Sequence, residues 1–119
     1  MSDFSKDTEQ RMTSDTGGEK GQKRARFDLI PVDAIWQVAE MYGKGAEKYD
    51  ERNWERGYDW SLSFAALQRH AHQFWSGEDL DEETQMNHMA SVAWHALALL
   101  HFHANPDQYG RFDNRPVIR

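Results

Sequence analysis

The stretch GEDLDEET, residues 77–84, sets five carboxylates within six positions: Glu78, Asp79, Asp81, Glu82 and Glu83. His88 follows five residues later, and Arg69, His70 and Gln73 come shortly before. Carboxylates at this density repel one another, and a hard divalent cation relieves the repulsion. Mg²⁺ takes oxygen ligands and keeps several waters, so two or three carboxylates plus substrate phosphates suffice. Imidazole adds affinity for Mn²⁺ or Zn²⁺. The same residues also suit a solvated acidic turn beside two hydrogen-bonded histidines.

A second stretch, GAEKYDERNWERG at 45–57, sets Lys48, Arg52 and Arg56 among Tyr49, Asn53 and Trp54. Cations of this kind neutralise phosphates, aromatic faces stack on a base, and an amide can read a base edge. The alternative is that Tyr49, Trp54 and Trp60 cover the open end of a bundle while the charges stay in water. Glu47 and Asp50 form an E-x-x-D pair, but in a basic segment. GGEKGQKRAR, residues 17–26, reads either as a solvated tail or as a basic arm that folds over an anion. Cations, aromatics and a carboxylate-held metal together fit a nucleoside triphosphate.

Three helices must position these groups. The first starts near Pro31, a residue tolerated at the first helical position. Val32, Ile35, Trp36, Ala39 and Tyr42 give it an apolar stripe, and Gly43 and Gly45 are expected to end it. The second is expected from Ser61 to Ser76, with Ser61 as N-cap. The third is expected from Glu82 to His103, capped by Asp81 and apolar over most of its circumference, so it should be central. Its polar exceptions, His88, Ser91 and His95, stand at i, i+3 and i+7. A short connection favours antiparallel pairing of the second and third helices, which brings His70 and Gln73 towards His88. His101 and His103 suit the C-terminal dipole, and His72 is expected at the surface.

No strand alternation stands out, so the expected class is all-α: a small helical bundle of three to five helices with a flexible N-terminal arm. Residues 1–16 are expected to be a disordered tail. Residues 17–105 would form the nucleotide-binding domain and 106–119 a C-terminal tail.

A chain of 119 residues suggests one domain with a modest core. Its net charge of −6 disfavours a nucleic-acid polymer as partner. There is no cysteine, which excludes disulfides and thiolate chemistry. No apolar run is long enough to span a bilayer and no signal-peptide h-region is present, so no membrane partner and a soluble, cytoplasmic protein are expected. A thin core and five Trp point to a homodimer or higher homo-oligomer.

The order and spacing of GGEK at 17–20, RFDLIP at 26–31, GAEKY at 45–49, NWERG at 53–57, ALQRH at 66–70, GEDLDEETQMNH at 77–88 and AWHALALL at 93–100 is fairly specific. In these motifs the chain resembles the phage dATP/dGTP diphosphohydrolase N-terminal domain family. The resemblance implies a small helical, phage-encoded protein of the infected host cell that removes purine deoxynucleoside triphosphates, yielding dNMP and pyrophosphate. Two departures stand out. The family more often has glycine where this chain has Gln85. The all-α MazG-like pyrophosphohydrolases use E-x-x-E and E-x-x-D on successive helices, and no clean copy lies on the long helices here.

The resulting expectation is Mg²⁺ or Mn²⁺ held by Glu78, Asp81 and Glu83, with His88 as a fourth ligand or orienting partner. His70 or Glu82 would take a proton from water. Lys48 and Arg69 would neutralise the phosphates, with Lys20 and Arg26 closing over them. Tyr49 and Trp54 would flank the base, Asn53 would contact it, and Asp28 would reach a cation or the sugar. The alternative function is a non-catalytic phage protein that sequesters a nucleotide or nucleotide signal.

Overall fold

The first element is a strand. In the computed structural model, which describes residues 9–117, Glu9–Thr13 (β1) pairs antiparallel with Glu19–Lys23 (β2) in the register Glu9↔Lys23 to Thr13↔Glu19. The class is therefore mixed, mostly helical with one small sheet, and not all-α. The reason the hairpin escaped the period-2 signal is physical. That signal arises when one face of a strand is buried, and β1 is exposed at every position. The register rests instead on a turn and on charge. Ser14 N–H donates to Gly18 O at 2.8 Å, and Gly18 N–H donates back to Ser14 Oγ at 3.0 Å. Arg11–Glu19 and Lys23–Glu9 ion pairs, each 2.8 Å, cross between the strands. Of the expected disordered tail, residues 1–8 lie outside the described residues, and the rest forms β1 and its turn. A 3-10 turn at Phe27–Leu29 follows.

Residues up to 31 make one compact unit and residues from 32 onwards another. Among the described residues the second unit holds four α-helices: α1 (Val32–Lys48), α2 (Trp60–Trp75), α3 (His88–Ala104) and the short α4 (Pro106–Tyr109). Helix α1 runs through Gly43 and Gly45, where a stop was expected. A glycine costs a helix only about 1 kcal/mol, and packing overrides it. Val38 and Met41 are the buried residues of α1. The expected stripe is mostly in solvent, with Trp36 68 % exposed.

Helix α2 begins at Trp60, one residue before the expected start, and local capping by Ser61 is replaced by a distant residue. Asn114 Oδ1 accepts from the Ser61 amide at 3.0 Å, and Asn114 Nδ2 donates to Ser61 Oγ at 2.8 Å. Helix α3 begins six residues later than expected, capped by Asn87, whose Oδ1 accepts from Met89 N–H at 2.8 Å. The intervening residues 80–87 close on themselves through a Leu80–Asn87 bridge. Asp81 does cap a turn, since its Oδ2 accepts from Thr84 N–H at 3.0 Å, but that turn reverses and does not continue into α3.

The core joins Trp60, Ala98, Phe102 and Tyr109, with Trp54, Tyr58, Trp94, Leu99 and Phe112 packed around them. Tyr109 comes from α4, in a stretch with no apolar period, yet it is 2 % exposed. Its hydroxyl donates to Glu55 O at 2.7 Å and anchors the 3-10 turn Asn53–Arg56. Gly57 ends that turn at φ 90°, and a Cβ there would collide with the Phe112 ring. Only glycine satisfies both conditions.

Candidate functional site

Helices α2 and α3 run antiparallel, because Ser63 meets His95 and His70 meets His88. Gly77, at φ 104°, turns the chain out of α2 so that Glu78 N–H bonds Gln73 O at 3.0 Å. That turn brings the Glu78 carboxylate back over the end of α3.

A directed chain of hydrogen bonds results. A guanidinium can only donate, so the 3.3 Å contact of Arg69 Nη2 with His70 Nε2 makes that nitrogen an acceptor. The His70 proton then sits on Nδ1 and is donated to His88 Nδ1 at 2.8 Å. The His88 proton in turn sits on Nε2 and is donated to Glu78 Oε2 at 2.7 Å. The tautomers follow from the network. Burial, then the Arg69 charge, pushes the His70 pKa down, in keeping with a neutral ring.

Asp81 completes the group, with Oδ1 3.9 Å from His70 Nδ1. Burial opposes its charge, but the hydrogen bonds from Thr84 and the nearby imidazoles outweigh this and hold its pKa below the usual value. Ligand atoms of His70, Asp81 and His88 lie within 4.8 Å of one another, close enough to share one metal ion once it displaces the proton between the two imidazoles. Glu78 touches the group through His88. Glu83 does not join it; its carboxylate pairs with Lys48 Nζ at 2.8 Å.

Two adjoining clefts open on this side of the helices. The first, of about 560 Å³, is ionic: Lys44, Glu47, Lys48, Arg69, Glu83 and Ser91 line it together with His70 and Asp81. The second, of about 790 Å³, is aromatic: Tyr42, Trp54 and Tyr58 line it, with Arg52, Asn53 and Leu62. Gly45, Tyr49, Trp94 and His95 belong to both and form the shared wall. Inside that wall Tyr58 OH, Ser63 Oγ and His95 Nδ1 form a relay with steps of 2.7 and 2.9 Å. Burial first, then repulsion from His70 when it is protonated and from Arg69, lowers the His95 pKa to about 4, so the ring is neutral at pH 7. Trp54 stands edge-on to Trp94 with centroids 6.1 Å apart.

A family model for dATP/dGTP diphosphohydrolase, N-terminal, matches residues 14–114. The chain belongs to that family. No curated protein and no solved structure matches it. The family match spans both clefts and the acidic turn. Gln85, within that turn, occupies a left-handed conformation at φ 60°.

Of the residues singled out from sequence, Lys48, Tyr49, Asn53, Trp54, Arg69, His70, Asp81 and Glu83 line the clefts, and Glu78 and His88 adjoin them. Glu82 lines neither; its carbonyl accepts from Gln85 Nε2 at 2.9 Å. Lys20, Arg26 and Asp28 belong to the N-terminal unit, where Arg26 and Asp28 pair through two bonds of 2.8 and 2.7 Å. Sequence reasoning missed Tyr42, Tyr58, Trp94 and the cleft role of His95. The signal for His95 was present, since it continues the His88–Ser91 row. Tyr42 and Trp94 read as core residues, and nothing local distinguishes a core aromatic from one that lines a cleft.

Proposed function

We propose that this chain hydrolyses purine deoxynucleoside triphosphates to the monophosphate and pyrophosphate, with a divalent metal at His70, Asp81 and His88. What supports the reading is one juxtaposition: an aromatic cleft large enough to admit a base adjoins an ionic cleft that ends in a potential metal-ligand trio. Family membership points the same way. Two imidazoles and one carboxylate fit Mn²⁺ better than Mg²⁺, which prefers an oxygen shell. A metal held there would supply positive charge beside the phosphates and would make a nearby water more acidic.

The chain's own residues do the rest. Lys48 and Arg69 neutralise phosphate charge. Glu83, a carboxylate in the ionic cleft already paired with Lys48, takes the water's proton; Glu82, outside the cleft, is the poorer candidate. Tyr49 stacks on the base from the shared wall, Trp54 closes the far side, and the Asn53 amide reads its edge.

The test is product analysis by chromatography after incubation with each dNTP and NTP, in Mg²⁺, in Mn²⁺ and in EDTA. Release of dNMP and pyrophosphate from dATP or dGTP, lost in EDTA, is the expected result. Intact nucleotide recovered from the protein without product would reject catalysis and leave the clefts as a sequestering site.

A further inference from the structure

The two clefts meet at a wall made of Gly45, Tyr49, Trp94 and His95. A nucleotide with its base in the aromatic cleft and its outer phosphates in the ionic one must cross that wall at its sugar and α-phosphate. Gly45 has no side chain, Trp94 offers ring surface, and Tyr49 is occupied by the base. His95 is the polar group left to meet the crossing point.

Its ring is held from several sides. Ser63 Oγ lies 2.9 Å from Nδ1, Trp94 stands edge-on with centroids 4.9 Å apart, and the His70 ring lies nearly parallel at 6.3 Å. The other nitrogen, Nε2, has no hydrogen-bond partner among the described residues and is not sealed from solvent. A fixed ring with one free nitrogen at the junction of two clefts is placed to hold a ligand.

The relay behind the ring decides what that nitrogen can do. Ser63 is fully buried, so no water joins it, and its one proton goes either to His95 or to Tyr58. Tyr58 OH has no second partner among the described residues. Were Ser63 to donate to Tyr58, the phenol proton would have no acceptor in the protein. Were both neighbours to donate to Ser63, the buried serine proton would have none, which is costly. Every proton is bonded when Tyr58 donates to Ser63 and Ser63 donates to His95 Nδ1. A phenol is also the more acidic hydroxyl and the better donor. The His95 proton then sits on Nε2 and points to whatever crosses the wall.

We propose that His95 touches the α-phosphate, donating Nε2–H to a non-bridging oxygen, and that Ser63 and Tyr58 are positioning residues that keep the proton on that nitrogen. This inference rests on the nucleotide reading above. In the reaction a water oxygen bonds to the α-phosphorus and its proton passes to Glu83. The bond from the α-phosphorus to the bridging oxygen breaks, and its electron pair leaves with pyrophosphate. His95 transfers no proton. It stabilises charge on the α-phosphoryl oxygens, and because Ser63 already holds it, no reorganisation is needed during the step.

Nitrogen-15 NMR of the histidine-labelled protein reads which ring nitrogen carries the proton, and His95→Gln identifies the His95 signals by their loss. The proton should be on Nε2. That signal should shift on titration with the α,β-methylene analogue of dATP, which keeps the α-phosphate but cannot be cleaved at that bond. Tyr58→Phe should let the proton divide between the two nitrogens. With dATP, His95→Leu should lower kcat by about 10²–10³-fold and move KM by less than about threefold. His95→Gln, whose amide N–H takes the place of Nε2–H, should recover at least about tenfold of that loss. A proton on Nδ1, an Nε2 signal unmoved by bound analogue, or Gln and Leu variants equally impaired would each overturn the inference and leave the nucleotide reading standing. An analogue that does not bind at all would reject both. If nucleotide binds without turnover, the NMR titration decides alone.

Discussion

The ionic and aromatic clefts share a wall but are held by different physics. Around His70 and His88 each polar atom has one named partner, and the direction of every bond is fixed from Arg69 to Glu78. Around Trp54 the contacts are spread over Tyr42, Trp94, His101 and Phe102, with ring centroids 5.3–6.2 Å apart. Removing one member of a directed chain strands its neighbours, and a stranded buried polar group costs its full desolvation. Removing one ring from an aromatic cluster loses area in proportion. Substitutions in the ionic cleft should therefore give large and specific effects, and those in the aromatic cleft smaller, graded ones.

The sharpest break should come at Asp81. Asp81→Asn keeps an oxygen for the Thr84 amide but removes the charge beside two imidazoles. Mn²⁺ affinity, read by electron paramagnetic resonance, should fall at least about 100-fold, and turnover with it, with only a small fall in melting temperature from the lost carboxylate charge. Normal metal binding in this variant would show that the trio is not the metal site.

His88 comes next. It is fully buried and bonds both His70 and Glu78. His88→Ala should cost about 3 kcal/mol in denaturant unfolding, from a cavity together with one imidazole proton left without its acceptor. On the aromatic side, Tyr49→Ala should weaken nucleotide binding by about 1–2 kcal/mol, the worth of one stacked base, and leave stability unchanged, because Tyr49 is already 57 % exposed. A Tyr49 effect on stability as large as that of His88 would erase the contrast between the clefts.

The shared wall gives a pH test. His95 has a folded pKa of about 4 against an ordinary 6.5, so between those values the unfolded chain binds more protons. His70 is lowered in the same direction. Stability should hold above pH 6.5 and decline as pH falls towards 4, and His95→Gln should flatten part of that decline. Thermal melts at half-unit steps of pH would show it.

How much of this was legible in the sequence depended on how local the cause was. The antiparallel pairing of His70 with His88 followed from helix spacing and a short connection. The N-terminal hairpin did not, because its register rests on Ser14, Gly18 and cross-strand charges and not on a buried face. The start of α2 is fixed by Asn114, more than fifty residues away, which no local cap rule could reveal. The start of α3 was masked because Asp81 has the chemistry of a helix cap and does cap a turn. Glu83 read as a ligand because it is acidic and near; only the fold shows that Lys48 holds it.

The smallest expected effect lies in that same turn and asks how rigidly it presents Asp81. Gln85 sits at φ 60°, a region that costs a non-glycine residue roughly 1 kcal/mol. Its amide donates to Asp81 O at 2.7 Å and its side chain to Glu82 O at 2.9 Å, so the turn is tied down from both ends. Gln85→Gly removes the backbone strain but also an exposed side-chain bond and some unfolded-state restriction. The terms nearly balance, and the net gain should be a few tenths of a kcal/mol. If the turn's role is to hold Asp81 against the imidazoles, the larger consequence should appear elsewhere, as Mn²⁺ affinity that falls severalfold while the melting temperature barely moves. A variant in which stability and metal affinity rise together would show that the strain at Gln85 works against the site.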